Sequence, residues 1–182
     1  IDTMMPAVAA ACLRAGASLV NDVTGLRDPR MAEVAAHHRA GIVIMHMRGT
    51  PATMRNLAQY TDVVAEVIAE LAGRIRLARE AGITEIFADP GIGFAKTTAH
   101  NLMLTARLGA LVDLGFPVLY AASRKRLIQG VDAAAIEAGD RLGGSLALAL
   151  EGGRRGARMV RVHDVRETVQ ALKLQAGVTA AG

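Results

Sequence analysis

Short runs of apolar and β-branched residues alternate along the chain with longer stretches in which apolar residues recur at helical spacing. The apolar runs are residues 17–21, 41–45, 85–89, 117–121 and 158–163, and residues 1–2 resemble the end of a further strand. The helical stretches are residues 6–15, 29–38, 62–81, 100–114, 140–155 and 165–175. This alternation predicts βα units around a parallel sheet that is covered by helices.

The spacing of these units distinguishes two α/β architectures. From Asp2 to Arg161 each unit takes about 32 residues, and eight such units would need roughly 250 residues, the usual length of a (β/α)₈ TIM barrel. We therefore predict one barrel domain over residues 1–182, truncated at its N-terminal end to about six βα units. The alternative is an open doubly wound sheet, which would carry a Gly-x-Gly-x-x-Gly turn after its first strand, and this chain has none.

Composition excludes several classes of function. The 21 Lys and Arg residues against 17 Asp and Glu residues give a net charge of +4, and only 3% of residues are aromatic, so a nucleic-acid-binding stripe is not expected. No long apolar run is free of charge, so a membrane span is not expected either. The lone Cys12 excludes an intrachain disulfide and a multi-cysteine metal site, and it fits a reducing cytoplasm.

Polar residues stand where each predicted strand ends. They are Asp2, Asn21, His46, Asp89, Ser123 to Lys125, and Arg161 with His163. Because the carboxyl ends of parallel strands share one face, we expect these side chains to converge on a site there.

Three of these strand ends carry distinct chemistry, and each has a plainer alternative. The Asp89–Phe94 segment, Asp-Pro-Gly-Ile-Gly-Phe, brings backbone N–H groups and a carboxylate close to a ligand, or is a simple turn. The basic run 123–126 suggests an anion, or is a solvated loop. Arg161 and His163 point to the same side of a strand and could clamp one anion, or Arg161 could pair with Asp164.

The remaining strand ends suggest recognition of a flat ring. Asn21, Asp22 and Asp2 could read the donor edge of a 2-amino-4-oxo-pyrimidine, although each alone is commonly a cap or turn residue. His46 has no second ligand at metal spacing, so a metal site there is not expected. Residues 48–60 are expected to form a lid or a plain connection, and Arg74, Arg76 and Arg79 an exposed helix face.

Taken in order, these motifs resemble the dihydropteroate synthase family, which has a (β/α)₈ barrel. The resemblance rests on Ile1-Asp2-Thr3, Asn21-Asp22-Val23, Met45-His46-Met47-Arg48-Gly49, Asp89-Pro90-Gly91-Ile92-Gly93-Phe94, Ser123-Arg124-Lys125 and Arg161-Val162-His163-Asp164. It extends over essentially the whole chain. It implies a transferase that joins 6-hydroxymethyl-7,8-dihydropterin diphosphate to 4-aminobenzoate in folate biosynthesis and releases diphosphate.

The resemblance also implies a role for each matching residue. The pterin side would be formed by Asp2, Asn21, Val23, Met45, Asp89 and Lys125; the diphosphate side by Arg161 and His163; and the aminobenzoate side by Phe94 and Arg126. Lys125, Arg161, His163 and Asp2 would act in catalysis. The family's Mg²⁺ would bind through an N-terminal strand that precedes Ile1, so no metal ligand is expected in this chain, and a cytoplasmic homodimer is implied.

Two features depart from the family pattern, and two other functions compete with it. Ala121 and Ala122 stand where many members have Gly, and Arg126 stands where Ser is common. A pterin-dependent methyltransferase shares the Asp and Asn strand ends but needs no anion clamp such as Arg161 and His163. A non-catalytic pterin-binding homologue is the other alternative.

Overall fold

The computed structural model describes residues 1–182 and alternates parallel strands with helices. The strands are β1 (Leu19–Asp22), β2 (Gly41–Met45), β3 (Ile86–Asp89), β4 (Leu119–Tyr120) and β5 (Met159–Val160). The helices are α1 (Pro6–Arg14), α2 (Arg30–His37), α3 (Val63–Glu80), α4 (Thr98–Ala106), α5 (Leu108–Val112), α6 (Arg126–Gln129), α7 (Leu142–Arg154) and α8 (Val165–Ala181). Two short 3₁₀ turns cover Met54–Leu57 and Ala138–Arg141.

The strands lie side by side in chain order, and all of their pairings are parallel. β1, β2 and β3 form one ladder, β4 and β5 a second, and a bridge between Ala88 and Val118 joins the two. At the other edge Asp2 bridges Asn21, so the first residues add to β1 as the predicted strand end. Sequential parallel order with a helix between successive strands is the arrangement of a βα barrel wall.

β4 and β5 are shorter than predicted, with two residues each in place of the expected 117–121 and 158–163. Their ladder ends where the Tyr120 carbonyl accepts the N–H of Arg161 at 3.1 Å. Beyond this point the backbone N–H of His163 no longer bonds to a strand carbonyl, because it donates to the Ser123 hydroxyl at 3.2 Å. Both chains therefore continue as loops.

Two predicted helices also differ from the observed ones. The stretch 100–114 is two helices, because Arg107 leaves helical geometry at φ −112° and ψ 26°. The first of the two, α4, starts at Thr98 rather than at residue 100, because the hydroxyl of Thr97 caps it by accepting the N–H of His100 at 3.2 Å. α8 continues past the predicted end at residue 175 to Ala181 and includes Gly177. A glycine inside a helix costs only about 1 kcal/mol relative to alanine, so it does not end the helix.

Alternate strand residues face two different hydrophobic clusters. Ile42 and Ile44 of β2 belong to a large cluster on the helix side of the sheet. Val43, Phe87 and Leu119 form a small cluster on the opposite face, toward the inside of the barrel wall. All five residues of β2 are buried, as expected of a parallel strand covered on both sides. The inner-face cluster lies below the strand ends and supports the site described next. None of the helices has the length and apolar character needed to cross a membrane.

Candidate functional site

The carboxylate of Asp2 links the end of β1 to the chain that follows β5. Asp2 Oδ2 accepts a hydrogen bond from the Asn21 side-chain amide at 2.9 Å and another from Arg161 Nη2 at 2.9 Å. These three side chains, predicted to share a site, are therefore together. They line part of a cavity of about 260 Å³ whose other walls include Val43 and Leu119 of the inner cluster.

Asn21 presents one acceptor that the protein itself does not satisfy. Its Oδ1 is buried and has no hydrogen-bond partner. A buried amide oxygen without a partner is costly, so such atoms are usually satisfied by water or a ligand. An N–H group on a bound heterocycle would complete this amide.

Asp89, at the end of β3, is only 3% exposed. Its carboxylate accepts the N–H of Gly91 at 2.7 Å. Burial raises the pKa of Asp89, while the cations of Lys125, Lys96 and Arg161 oppose that shift. A buried carboxylate surrounded by cations is a strong acceptor for paired N–H donors.

Lys125 belongs to this buried group. Its Nζ donates to the carbonyl of Ile92 at 2.5 Å and lies 4.9 Å from the centre of the Phe94 ring. Burial lowers the pKa of Lys125 to about 8, and Asp89 opposes the shift. Gly93 makes this approach possible, because it has φ +82° and a Cβ there would lie 3.2 Å from Lys125 Cδ.

The basic run 123–126 divides into separate roles. Arg124 forms an ion pair with Asp164, with Nε–Oδ2 at 3.0 Å. The expectation that three adjacent cations bind an anion is therefore wrong for Arg124, which binds Asp164 of this chain instead. The alternative pairing of Arg161 with Asp164 is wrong as well, because Asp164 is already held by Arg124.

Arg161 and His163 are both exposed just beyond β5. The ring of His163 contacts the Ser123 hydroxyl through Nδ1 at 3.0 Å, which leaves Nε2 as the outer nitrogen. Neither side chain is buried in a structural ion pair, since the Arg161–Asp2 pair is itself half exposed. Both remain available to an anion.

A second cavity, of about 400 Å³, lies beside the Asp89–Phe94 turn. Phe94 and Arg126, the two residues predicted for the aminobenzoate side, both line it. Met54 and Arg55 approach from the 48–60 segment, and Lys125 borders it as well. Lys125 therefore connects this cavity to the group of residues around Asp89.

Val23 and Met45 occupy positions next to the site without an identified contact to a ligand. Met45 is buried at the end of β2, and Val23 is half buried directly after β1. Their assignment to the walls of the pterin slot stays a prediction.

Arg74 was expected on an exposed helix face, and this expectation is wrong. Its guanidinium is half buried and donates to the carbonyls of Thr24, Met45 and Met47 at 3.1, 3.3 and 3.4 Å. It satisfies carbonyl groups just after β1 and at the end of β2 that the sheet leaves free. Gly25 is necessary for this, because a Cβ there would lie 2.3 Å from Arg74 Nη1.

The sequence did not indicate a chain of polar side chains that starts at Lys96, in the wall of the second cavity, and includes the fully buried His46. It joins Lys96, His46, Glu70 and Arg48 by successive hydrogen bonds. Burial, with the cations of Lys96, Arg74 and Arg48, lowers the pKa of His46 to about 2. Burial also lowers the pKa of Lys96 to about 7.

Comparison with known proteins agrees with this geometry. The family described as "Pterin binding enzyme" matches residues 1–163. The chain is 41% identical over 177 residues to a dihydropteroate synthase of a Synechocystis species and 38% identical over 176 residues to that of Escherichia coli K12. These matches take in 96% of this chain but 61% and 62% of the relatives, so the chain spans about three fifths of their length.

The same similarity extends to solved structures. The dihydropteroate synthase of Thermus thermophilus in complex with 6HMPPP superposes with a TM-score of 0.94 at 46% identity, covering 98% of this chain and 71% of that one. The same enzyme in complex with 4-aminobenzoate gives a TM-score of 0.93, also at 46% identity, covering 97% of this chain and 68% of that one. The chain therefore belongs to the pterin-binding enzymes. Within them it resembles the dihydropteroate synthases, and the prediction of a truncated TIM-barrel fold is confirmed.

Proposed function

We propose that this chain carries the pterin-binding and diphosphate-binding part of a dihydropteroate synthase. The reaction joins the methylene carbon of 6-hydroxymethyl-7,8-dihydropterin diphosphate to the amine of 4-aminobenzoate. The observation that carries the proposal is the buried Asp89 carboxylate beside Lys125 and Arg161, at the same strand ends as the unsatisfied amide of Asn21.

The pterin ring is proposed to bind through its polar edge. Asp89 accepts N–H donors of the ring and its amino group, and Asn21 Oδ1 accepts a further N–H. Lys125 supplies a positive donor to a ring acceptor. Because these groups are already fixed by the strand ends and by the Gly91 N–H, little ordering is needed on binding.

The diphosphate is proposed to bind Arg161 and His163. As the bond between the methylene carbon and the diphosphate oxygen breaks, its electron pair leaves with the diphosphate, whose charge the Arg161 guanidinium and a hydrogen bond from His163 stabilise. When Arg161 turns to the diphosphate, Asp2 loses that ion pair, keeps its hydrogen bond from the Asn21 amide, and is left beside the positive methylene carbon. The amine nitrogen then donates its lone pair to that carbon and releases a proton to solvent.

The second substrate is proposed to occupy the cavity of about 400 Å³. Phe94 offers an aromatic face to the aminobenzoate ring, and Arg126 offers a cation to its carboxylate. Arg55 faces the same cavity from the 48–60 segment. A cavity lined by an aromatic ring and by several cations suits an aromatic carboxylate.

Mg²⁺, a homodimer and a cytoplasmic location complete the proposal. The structure contains no group of three or more His, Cys, Asp or Glu side chains placed to hold a metal ion, so no step here is assigned to Mg²⁺. These three properties rest on the resemblance to the family.

The test is turnover by the polypeptide as its source makes it. With both substrates and Mg²⁺ present, we expect dihydropteroate and diphosphate to form in equal amounts, and no dihydropteroate without aminobenzoate. Product absent under these conditions, with the pterin diphosphate still bound, would instead support a non-catalytic homologue.

A matched pair of arginine variants tests the anion site. Arg161→Met should raise KM for the pterin diphosphate and lower kcat, with kcat/KM falling on the order of a hundredfold because a charge-assisted contact to the leaving group is lost. Arg158→Met removes an exposed arginine at the opposite end of the same strand and should leave both parameters unchanged. Equal effects of the two substitutions would contradict the assignment.

A further inference from the structure

Lys96 lies two residues beyond Phe94, at the end of the loop that follows β3. Its Nζ is 2.9 Å from His46 Nδ1, 3.1 Å from the Gly91 carbonyl oxygen and 3.0 Å from the Phe94 carbonyl oxygen. One ammonium group therefore binds both ends of the Gly91–Phe94 turn and anchors them to the end of β2.

The three contacts are chemically consistent with one another. When Lys96 is protonated its ammonium has three donors and no acceptor, so His46 Nδ1 accepts and the imidazole hydrogen lies on Nε2. Nε2 then donates to Glu70 Oε2 at 3.0 Å. A neutral His46 agrees with its lowered pKa. In this arrangement Lys96 Nζ donates to three acceptors and both ring nitrogens of His46 have a partner.

Glu70 and Arg48 extend the chain to the other wall of the cavity. Glu70 Oε1 accepts from Arg48 Nε at 2.9 Å, and Arg48 Nη1 donates to the carbonyl of Gln59 at 2.7 Å. The Arg48 guanidinium lies 4.0 Å from the centre of the Tyr60 ring, and the Tyr60 hydroxyl donates to the carbonyl of Ala95 at 3.0 Å. The network thus returns to the loop from which it started.

We propose that Lys96 is a positioning residue for the second substrate, fixing the Gly91–Phe94 turn and the 48–60 segment as the two walls of the cavity of about 400 Å³. This inference rests on the proposed function, because it assigns aminobenzoate to that cavity. Lys96 acts through Phe94, whose carbonyl it holds and whose ring faces the cavity.

The effect should fall on one substrate more than on the other. Asp89 is held by β3 itself, where its carbonyl accepts the N–H of His46 at 2.9 Å. Phe94 lies on the loop, where its own N–H bonds back to the Gly91 carbonyl and Lys96 supplies the link to the sheet. Loss of Lys96 would therefore release Phe94 while leaving Asp89 in place.

Steady-state kinetics of Lys96→Met in the polypeptide as its source makes it test the proposal. We expect KM for aminobenzoate to rise on the order of tenfold, since small displacements of positioning groups have large effects. KM for the pterin diphosphate should change by less than about threefold, because Asp89 stays on its strand. Lys173→Met, an exposed lysine on α8, is the matched control and should change neither.

A second variant keeps the test decisive if Lys96→Met does not fold. Tyr60→Phe removes only the hydroxyl that bonds to Ala95, and it should raise KM for aminobenzoate in the same direction by a smaller factor. An unchanged KM for aminobenzoate in the folded variants, or equal changes for both substrates, would overturn the role of Lys96. Absence of dihydropteroate from the unsubstituted protein would instead refute the proposed function.

Discussion

Neutral His46 should make the folded state sensitive to acid. The ring is fully buried, and the pKa of His46 is lowered from 6.5 to about 2 by burial and by Lys96, Arg74 and Arg48, despite the adjacent Glu70. In the unfolded chain the imidazole regains an ordinary pKa. Below about pH 6.5 the unfolded state therefore binds a proton that the folded state does not, and stability falls as pH falls.

The size of this effect follows from the difference in proton binding. Each pH unit below 6.5 removes about 1.4 kcal/mol from the free energy of unfolding, so moving from about pH 7.5 to about pH 5 should cost roughly 2 kcal/mol through His46 alone. His46→Gln cannot take up this proton. It should lower stability at neutral pH, because the hydrogen bonds to Lys96 and Glu70 are perturbed, but it should flatten the pH dependence by that amount.

The assay is urea unfolding at several pH values between these limits, with the free energy of unfolding plotted against pH for each protein. His37→Gln removes an exposed imidazole and tests whether the loss of any histidine flattens the profile. If the unsubstituted protein and His46→Gln fall in parallel between neutral and acid pH, the buried neutral imidazole does not govern acid stability and the reasoning is refuted.

Two further substitutions test the turn after β3. Gly91→Ala should destabilise the protein by about 3 kcal/mol or more in urea unfolding, because Gly91 has φ +68° and the new Cβ would lie 1.9 Å from the carbonyl oxygen of His46; a loss below about 1 kcal/mol would show that the turn relaxes freely. Asp89→Asn should weaken binding of the pterin diphosphate on the order of a hundredfold in calorimetric titration, because the amide presents one acceptor in place of a charged pair; unchanged affinity would remove Asp89 from the proposed pterin site.

Site residues could be predicted from the sequence when their position depends only on the neighbouring residues in the chain. Asp89 and Arg161 each follow a short apolar run, so parallel packing alone places them at the same end of the barrel wall. The glycines at 91 and 93 similarly indicate a close backbone approach, which the contacts with His46 and Lys125 confirm. Periodicity and turn chemistry suffice for such positions.

The pairing of charges was less predictable, because it depends on residues far apart in the chain. Arg124 and Asp164 are separated by 40 residues, and Lys96 and His46 by 50. A cation next to a site motif can serve the site, as we propose for Lys125, or the scaffold, as Arg124 does. Only the direction of the side chain after the strand distinguishes them. Arg74 illustrates the same point, since its helical spacing gives no sign of the carbonyl groups that it reaches.

The charges around the site fall into a fixed group and an exchangeable one. Lys96 and Glu70 each bond one ring nitrogen of the fully buried His46, so removing either leaves that nitrogen without its partner at substantial cost. The Arg161–Asp2 pair is about half exposed, and such pairs contribute no more than about 1 kcal/mol. A diphosphate, with several charged oxygens, can therefore take Arg161 from Asp2 without disturbing the fold. Under the proposed function, the network around His46 would keep the walls in place while the exposed pair changes partners, so that diphosphate binding would release Asp2 from Arg161 and leave Asp2 with only its hydrogen bond from Asn21.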